Sequence, residues 1–426
     1  YAEDNTVSII IEAPLLEIDD NAFAWDARLG GGDWIDPNYD YITKITLPST
    51  VTKIGDDAFN GCRGLQELDI SSTITEIGSG AFYGCENLKF DFATLSNVTS
   101  LGEDAFNGCT SATGVADLSK LTDIEIPEAA FIDCTGLTGV TMSDAVTSIG
   151  INAFNGCTAL ESVEFSDNLK SVGQNAFVNC TGLKQVNFPN TLTVLSTNAF
   201  SGSGLTSVVL PDSVTTLGGN TFLNCTDLTS VTLPSSLTTI GSADFSGCTG
   251  LTDLNLPDGL SVIGEFMFSG CTGLTSIEIP SSVQTIDQFA FSACHSLTAV
   301  TFNEGLKSIG QGAFRNCERI PSVTIPASVS KIGPDAFYVS DQWSMGEGYS
   351  RMTDATILAT TAPESSSYPF PSKVTIHVPE NATGYDVSPW TRYTIERFEQ
   401  YLPNASMPSI NTGLIYNGTK QTGVNS

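Results

Sequence analysis

The stretch IGDDAFNGC occupies residues 54–62, and it recurs as LGEDAFNGC at 101–109 and as IGINAFNGC at 149–157. Its phenylalanine belongs to a column of fourteen, in which nine of the thirteen intervals are 23 residues long. The column comprises Phe23, Phe59, Phe82, Phe106, Phe131, Phe154, Phe177, Phe200, Phe222, Phe245, Phe268, Phe291, Phe314 and Phe337. Self-similarity at such a period is typical of solenoids, in which each coil buries its apolar side against its neighbours. The repeat therefore predicts one core running the length of the array.

Each repeat predicts a short turn that carries Ala-Phe into the core. Five positions before each phenylalanine stands Ile, Leu or Val, and the next residue is Gly in ten of the fourteen repeats. Asp19, Ser196 and Asp287 are among the exceptions, and Gly, Asp and Ser all favour the start of a helix. Two places after the phenylalanine, from Phe59 to Phe314, the residue is Gly, Asn or Asp eleven times in twelve, which suits the left-handed conformation that closes a helix. We expect one tight helical turn in each coil.

Strands follow the turns. The segments Leu228 to Pro234 (LTSVTLP) and Leu274 to Pro280 (LTSIEIP) alternate in polarity and end at a proline, which predicts a strand that stops there. A second extended piece follows, such as Val214 to Leu217 (VTTL). Successive coils should stack their strands in parallel about 4.8 Å apart, which would give the array a length of roughly 65 Å.

All eleven cysteines lie three residues after a phenylalanine of the column. Their number is odd, and a position just beyond the predicted turn suits a small apolar side chain that folds back onto it. Neighbouring coils would bring the Cα atoms within disulfide range, but the Cβ vectors would run parallel rather than converge. We therefore expect a buried ladder of free thiols in preference to disulfides. No Cys-x-x-Cys or paired His accompanies the column, so a metal site is not expected.

The composition is strongly acidic, since 47 acidic and 17 basic side chains give a formal charge of −30. Nucleic acid and anionic membrane surfaces would be repelled, so neither is expected as a partner. No apolar run approaches the roughly 20 residues needed to span a bilayer, which argues against membrane insertion. The solubility of a long array explains the charge more simply than cation binding does.

The repeat Leu-x-x-Val-x-Leu-Pro-x-x-Val-x-x-Ile-Gly-x-x-Ala-Phe-x-Gly-Cys closely resembles that of the BspA-like leucine-rich-repeat proteins, a family of bacterial surface and secreted proteins. The resemblance covers residues 7 to about 340. It implies an α/β solenoid: a right-handed leucine-rich-repeat superhelix of about 14 coils, with a parallel β-sheet on the concave face and short helical turns on the convex side. It also implies a secreted or cell-surface location, adhesion or protein binding, no enzyme activity and no cofactor.

Three regions are predicted. Residues 1–340 form the solenoid, with an N-terminal insertion at 24–41, where the first interval of the column is 36 residues. Residues 341–402 form a C-terminal capping region. The part from 355 resembles the cap common in the family, with a strand at Lys373 to Pro379 and closing residues at Tyr385, Trp390, Tyr393 and Ile395. Residues 403–426 predict a linker or the start of a further β-sandwich domain, because 411–421 (NTGLIYNGTKQ) is similar to the opening strand of such domains in bacterial surface proteins.

The predicted concave strands are one candidate binding surface. Their outward positions carry small polar residues, among them Ser230, Thr232, Asp253, Asn255 and Glu278. The outward residues from 207 to 324 lack the Tyr, Trp and Arg that dominate binding hot spots. A solvated sheet face is therefore the simpler interpretation of this ribbon.

The N-terminal insertion is the other candidate, because it carries Trp25, Trp34, Tyr39 and Tyr41 around three consecutive glycines. Inserted loops with exposed aromatic residues are binding candidates, and capping of the solenoid end is the structural alternative. The same segment alternates acidic and amide residues at 36, 38 and 40 like the start of a calcium loop. Leu47 stands where the bidentate Glu belongs, so no calcium site is expected.

The sequence contains no catalytic motif. His295 and His377 have no partner placed by a motif, and neither a phosphate-cradling loop nor a nucleophile elbow is present. Our hypothesis is a non-catalytic module that binds extracellular or host proteins. The alternatives are a passive structural spacer in a larger surface protein and a glycan-binding module that uses the aromatic residues at the ends.

Overall fold

The computed structural model describes residues 7–12, 14–24, 42–70, 72–237, 240–340 and 350–399. Within them the chain forms a parallel β-solenoid of about 15 turns with the leucine-rich-repeat fold and almost no helix. Two kinds of strand alternate. The long strands are Val7–Ile10, Ile42–Thr46, Glu67–Asp69, Thr113–Leu118, Gly136–Met142, Ser162–Glu164, Ser207–Val209, Ser230–Thr232, Asp253–Asn255, Ser276–Ile279, Ala299–Phe302, Ser322–Ile325, Asp354–Ile357, Thr375–Pro379 and Thr394–Phe398. The short strands are Glu17–Ile18, Lys53–Ile54, Glu76–Ile77, Ser100–Leu101, Glu125–Ile126, Ser148–Ile149, Ser171–Val172, Val194–Leu195, Thr216–Leu217, Val262–Ile263, Thr285–Ile286, Ser308–Ile309 and Lys331–Ile332.

The short strands stack in parallel and keep the sequence columns in register. Ile18 pairs with Ile54, Ile54 with Ile77, and Ile77 with Leu101. These are the aliphatic residues five positions before the phenylalanines, and all of them are buried. The prediction that this column belongs to the core is confirmed.

The phenylalanine column forms one continuous stack through the core. Consecutive rings from Phe23 to Phe337 lie 5.0–5.8 Å apart and within 19° of parallel. Phe370 extends the stack at 5.1 Å, and Tyr393 closes it edge-on at 6.1 Å. Offset-stacked aromatic pairs are favourable beyond the area they bury, so the column ties each coil to the next.

The segment that carries Ala-Phe is a run of tight turns, and the predicted helical turns are not confirmed. Around Phe59, the N–H groups of Asn60 and Cys62 donate three residues back within the coil, at 3.0 and 3.1 Å. The N–H groups of Asp57, Phe59 and Gly61 instead donate to carbonyls of the following coil at 2.7–2.8 Å. A helix would direct all of these donors along its own axis. Here every second amide joins neighbouring coils.

Left-handed residues on both sides of the phenylalanine produce this alternation. Gly61, two places after Phe59, has a φ of 74°, and its counterparts through Asn316 are also positive, as the sequence predicted. A second left-handed column, two places before the phenylalanine, runs from Asn21 to Asp335 and was not anticipated. Two reversals of backbone hand in five residues exclude a regular helix.

The glycine column at the start of these turns allows the coils to approach closely. A Cβ added at Gly102 would lie 2.2 Å from the backbone nitrogen of Ser79 in the preceding coil, which real Cβ atoms do not tolerate. The glycines were interpreted from the sequence as helix caps. The structure gives a different reason for glycine at these positions, which is the close contact between the backbones of neighbouring coils.

Helix is confined, within the described ranges, to two 3-10 segments, Phe92–Asn97 and Trp390–Arg392. The first follows the short strand Glu76–Ile77 and lies between Phe82 and Phe106, in the first of two consecutive column intervals that lengthen to 24 and 25 residues. Its Phe92 packs edge-on against Phe106 at 5.5 Å, and Phe92 and Leu95 are the residues of the segment that are buried in the core. The long strands after residue 350 continue the ladder, because Ser322–Ile325 pairs with Asp354–Ile357.

The eleven cysteines are free thiols, and all but the half-buried Cys62 are buried, as predicted. Each Sγ lies 3.0–3.2 Å from the carbonyl oxygen of a phenylalanine in the preceding coil and donates to it. Burial raises the pKa of Cys62 and of Cys225 to about 11. These two thiols are therefore protonated, and the column as a whole serves as a buried structural element.

Candidate binding surfaces

The outward positions of the long strands form the first candidate surface, which we call the ribbon. Ser230 pairs with Asp253, and Thr232 pairs with Asn255. Val231, which stands between Ser230 and Thr232, points into the core. Thr232, Asp253 and Asn255 are exposed, and Ser230 is half-buried. The structure thus brings these four sequence-predicted residues together on one face, because side chains alternate across a strand.

Glu278 lies on the same outward face of the next strand pair, where it is in register with Thr301. The Nδ2 of Asn303 donates to its Oε1 at 3.4 Å and to the carbonyl of Ile279 at 3.0 Å. Glu278 is exposed, so its carboxylate is presented to solvent from a fixed strand position.

The ribbon is more acidic over its whole length than the outward residues from 207 to 324 indicated. Outward carboxylates also stand on the long strands near both ends of the array, at Glu67, Asp69, Asp117, Glu164, Asp354 and Glu396. At the N-terminal end the Nζ of Lys44 lies 2.8 Å from Glu67 and 3.8 Å from Asp69. The hydrogen bond to Glu67 and the charge of Asp69 raise the pKa of Lys44. These side chains are all well exposed, so the pairs organise the surface more than they stabilise the fold.

Both histidines have acidic partners that the sequence did not reveal. His377 lies on the ribbon between two carboxylates, with Nε2 2.9 Å from Asp354 and Nδ1 3.4 Å from Glu396. The hydrogen bond from His377 lowers the pKa of Asp354. His295 lies 3.0 Å from Glu318, one coil further along. These contacts pair residues 19 to 23 positions apart, so stacking of the coils brings them together.

The aromatic residues of the N-terminal insertion, Trp25, Trp34, Tyr39 and Tyr41, lie outside the described residues. They stay a prediction. At the other end Tyr385 and Trp390 pack edge-on at 5.4 Å and are buried. Tyr368 remains exposed, and the guanidinium carbon of Arg392 lies 4.3 Å above its ring.

Two stacked aromatic residues in the middle of the array were missed, of which Phe266 is exposed and Phe289 is half-buried. Phe266 and Phe289 stand two positions before the column residues Phe268 and Phe291, and their rings stack at 5.1 Å. The signal was visible as EFMF at 265–268 and QFAF at 288–291, where one phenylalanine immediately precedes the repeat pattern. The outward direction of these rings follows from the left-handed backbone two places before each column phenylalanine, which the sequence analysis did not anticipate.

Groups of three or more His, Cys, Asp or Glu side chains that could hold a metal ion do not occur within the described residues. None of the helices in the described ranges has the length and apolar character needed to cross a bilayer.

The family model described as BspA type Leucine rich repeat region (6 copies) matches residues 38–125, 117–229 and 219–343. The matched segments together span well over half of the chain. No curated protein matches the chain.

Solved structures of bacterial proteins are similar to this chain. A leucine-rich repeat protein from Bacteroides ovatus ATCC 8483 is 32% identical, with 68% of this chain and 80% of that chain covered and a TM-score of 0.52. A leucine rich cell surface protein from Faecalibacterium prausnitzii A2-165 is 22% identical, with 93% and 88% covered and a TM-score of 0.40. The pneumococcal vaccine antigen PcpA is 17% identical, with 94% and 91% covered and a TM-score of 0.41. The last two likenesses concern the fold alone.

Proposed function

Because the chain belongs to the BspA-type leucine-rich-repeat family, we propose that it is a non-catalytic, secreted or cell-surface bacterial module that binds extracellular or host proteins. The observation that carries this proposal is the ribbon, a long row of solvent-facing polar and acidic side chains held in register on a continuous core. A rigid scaffold that fixes many side chains loses little entropy on binding, which suits recognition of a large protein surface.

The charge of the ribbon narrows the class of partner. Its outward carboxylates and the formal charge of −30 favour a partner with a basic surface and oppose nucleic acid. The two histidines sit in carboxylate contacts that organise the surface, and the proposal assigns them no catalytic role.

Two parts of the chain complete the proposal. Residues 341–402 would act as the C-terminal cap, supported by the burial of Tyr385, Trp390 and Tyr393 at the end of the aromatic stack. Residues 403–426 would link the array to a further domain. The competing functions are a passive spacer and a glycan-binding module. Neither of them requires the ribbon to bind a protein.

Pull-down against extracellular-matrix proteins, run beside a glycan array, tests the proposal. Saturable capture of a matrix protein is the expected result, and a spacer should bind nothing in either assay. Binding of glycans alone would replace the protein-binding function with the second alternative.

Within the proposal, the ribbon supplies the extended contact surface, and the aromatic residues of the N-terminal insertion would supply the larger share of the binding energy. Aromatic side chains bury a large area at low entropic cost, whereas each Ser or Thr hydrogen bond contributes only about 0.5–1.5 kcal/mol net. Trp34→Ala should therefore weaken binding of the captured protein at least tenfold. The double change Ser230→Ala, Thr232→Ala should alter the affinity little. The reverse ranking would show that the ribbon supplies most of the binding energy.

A further inference from the structure

Phe266 and Phe289 occupy backbone positions that bulky residues avoid. Both are left-handed, with φ of 54° and 55°. In the other described coils of this column the residue is Gly, Asn, Asp or Ala. A large side chain at positive φ is a genuine outlier, and such strain persists where the surroundings enforce it and often where function uses it. Two adjacent coils carry the same outlier, so the pair needs an explanation.

The two rings form a platform with one closed side and one open side. They stack at 5.1 Å and 11°. On the closed side the ring of Phe289 lies over Gly312, where an added Cβ would be 2.5 Å from its Cε1. On the other side the equivalent residue of the preceding coil is Ala243, which offers only a methyl group. Phe266 is 36% exposed. One aromatic face is therefore available to a ligand.

Two acidic residues stand within two positions of the platform phenylalanines in the sequence. Glu265 directly precedes Phe266, and Asp287 stands in the column that is Gly in ten of the fourteen repeats. Partial burial and, to a smaller extent, the charge of Glu265 raise the pKa of Asp287. In the described part of the chain neither of them forms a salt bridge. A cation placed here would relieve this repulsion.

We infer that Phe266, Phe289, Glu265 and Asp287 form a docking site for an arginine or lysine side chain of a protein partner. The cationic group would lie over the open face of Phe266 and pair with the carboxylates, combining cation–π and charge-assisted contacts. The inference rests on the proposed protein-binding function and names the partner's chemistry. The fold uses the same contact internally, where Arg392 lies over Tyr368 at 4.3 Å.

A sugar ring would stack on the same aromatic face, but it would leave the repulsion between the two carboxylates in place. Charge complementarity therefore favours the basic side chain. A guanidinium suits the site best, because it is planar and more weakly hydrated than an ammonium group.

The test uses the full chain immobilised for surface plasmon resonance, with the peptide acetyl-Gly-Arg-Gly-Arg-Gly-amide at physiological salt. The same peptide with citrulline in place of arginine controls for charge. Phe266→Asn removes the ring and introduces a residue that suits positive φ. It should weaken binding of the arginine peptide at least fivefold while raising the melting temperature. The double change Glu265→Gln, Asp287→Asn should weaken binding similarly.

Two control variants separate the site from general effects. Ala129→Asn introduces the same residue at another left-handed position, in a distant coil and without removing a ring, so it should leave peptide affinity unchanged. Asp144→Asn with Asp212→Asn removes two exposed charges elsewhere and should reduce affinity less than twofold.

Unchanged peptide affinity in Phe266→Asn, or equal affinity for the citrulline peptide, would overturn the inference. So would a neutral glycan that loses affinity in Phe266→Asn while the arginine peptide does not. A matrix protein that binds Phe266→Asn as tightly as the wild type would remove this site and leave the proposed function standing. Peptide binding that depends on Phe266, with no protein captured, would count against the proposed function alone.

Discussion

Replacement of Phe245 by alanine tests whether the aromatic stack holds the array together. The Phe245 side chain is fully buried, with its ring 5.5 Å from Phe222 and 5.7 Å from Phe268. Truncation would remove both contacts and leave a cavity between two coils. Deletion of a buried phenylalanine costs about 3–5 kcal/mol, and the cost rises when the site cannot collapse.

The backbone keeps this cavity open. The N–H of Phe245 donates to the carbonyl of Met267 at 3.0 Å, and the N–H of Phe222 donates to that of Asp244 at 2.9 Å. These bonds hold the neighbouring coils at a fixed spacing. We therefore expect a loss of free energy of unfolding toward the upper end of the range, about 4–5 kcal/mol.

Urea denaturation followed by circular dichroism measures the loss, and amide hydrogen exchange around coil 222–268 localises it, since long repeat arrays can depart from two-state unfolding. Phe398→Ala is the control, because Phe398 is only half-buried and lies in the last described strand. It should cost less than half as much. Equal losses for the two variants would refute the assignment of the column as the core of the array.

Three further outcomes are expected. Denatured, unreduced protein should titrate with eleven free thiols, and in the native state the half-buried Cys62 should react first; a titre near one would mean five disulfides. Ala243→Gly should raise the free energy of unfolding by about 1 kcal/mol because Ala243 is held at positive φ, whereas Ala290→Gly, at a buried position without positive φ, should lower it by a similar amount; the opposite signs in denaturation would contradict the backbone argument. Burial raises the pKa of Asp244, so the stability contributed by its neutral form is present below the unfolded pKa of about 3.9 and is lost as pH rises through the folded pKa. Relative to the double variant Thr221→Ala, Asp244→Ala, the wild type should therefore lose free energy of unfolding as the pH rises from acid to neutral, and a pH-independent difference in urea denaturation would contradict this.

The sequence by itself determined the repeat, the core columns and the chemistry of the thiols. Spacing alone placed Phe245 and its counterparts inside, because a period sustained over fourteen repeats leaves one arrangement in which every apolar side is buried. The free thiols followed from parallel Cβ vectors. The left-handed residue after each phenylalanine followed from Gly, Asn and Asp at that position, and it holds even at Ala293.

Only the tertiary structure decided what the turns are. Gly, Asp and Ser before Ala-Phe are equally compatible with a helix start and with close backbone approach, and the nearness of Ser79 to Gly102 selects the second. Alternate amides then donate to the next coil, which a sequence window of one repeat does not contain. The stacking of Phe266 on Phe289 and the contact of His377 with Asp354 arise the same way, since partners 23 residues apart meet only when the coils stack.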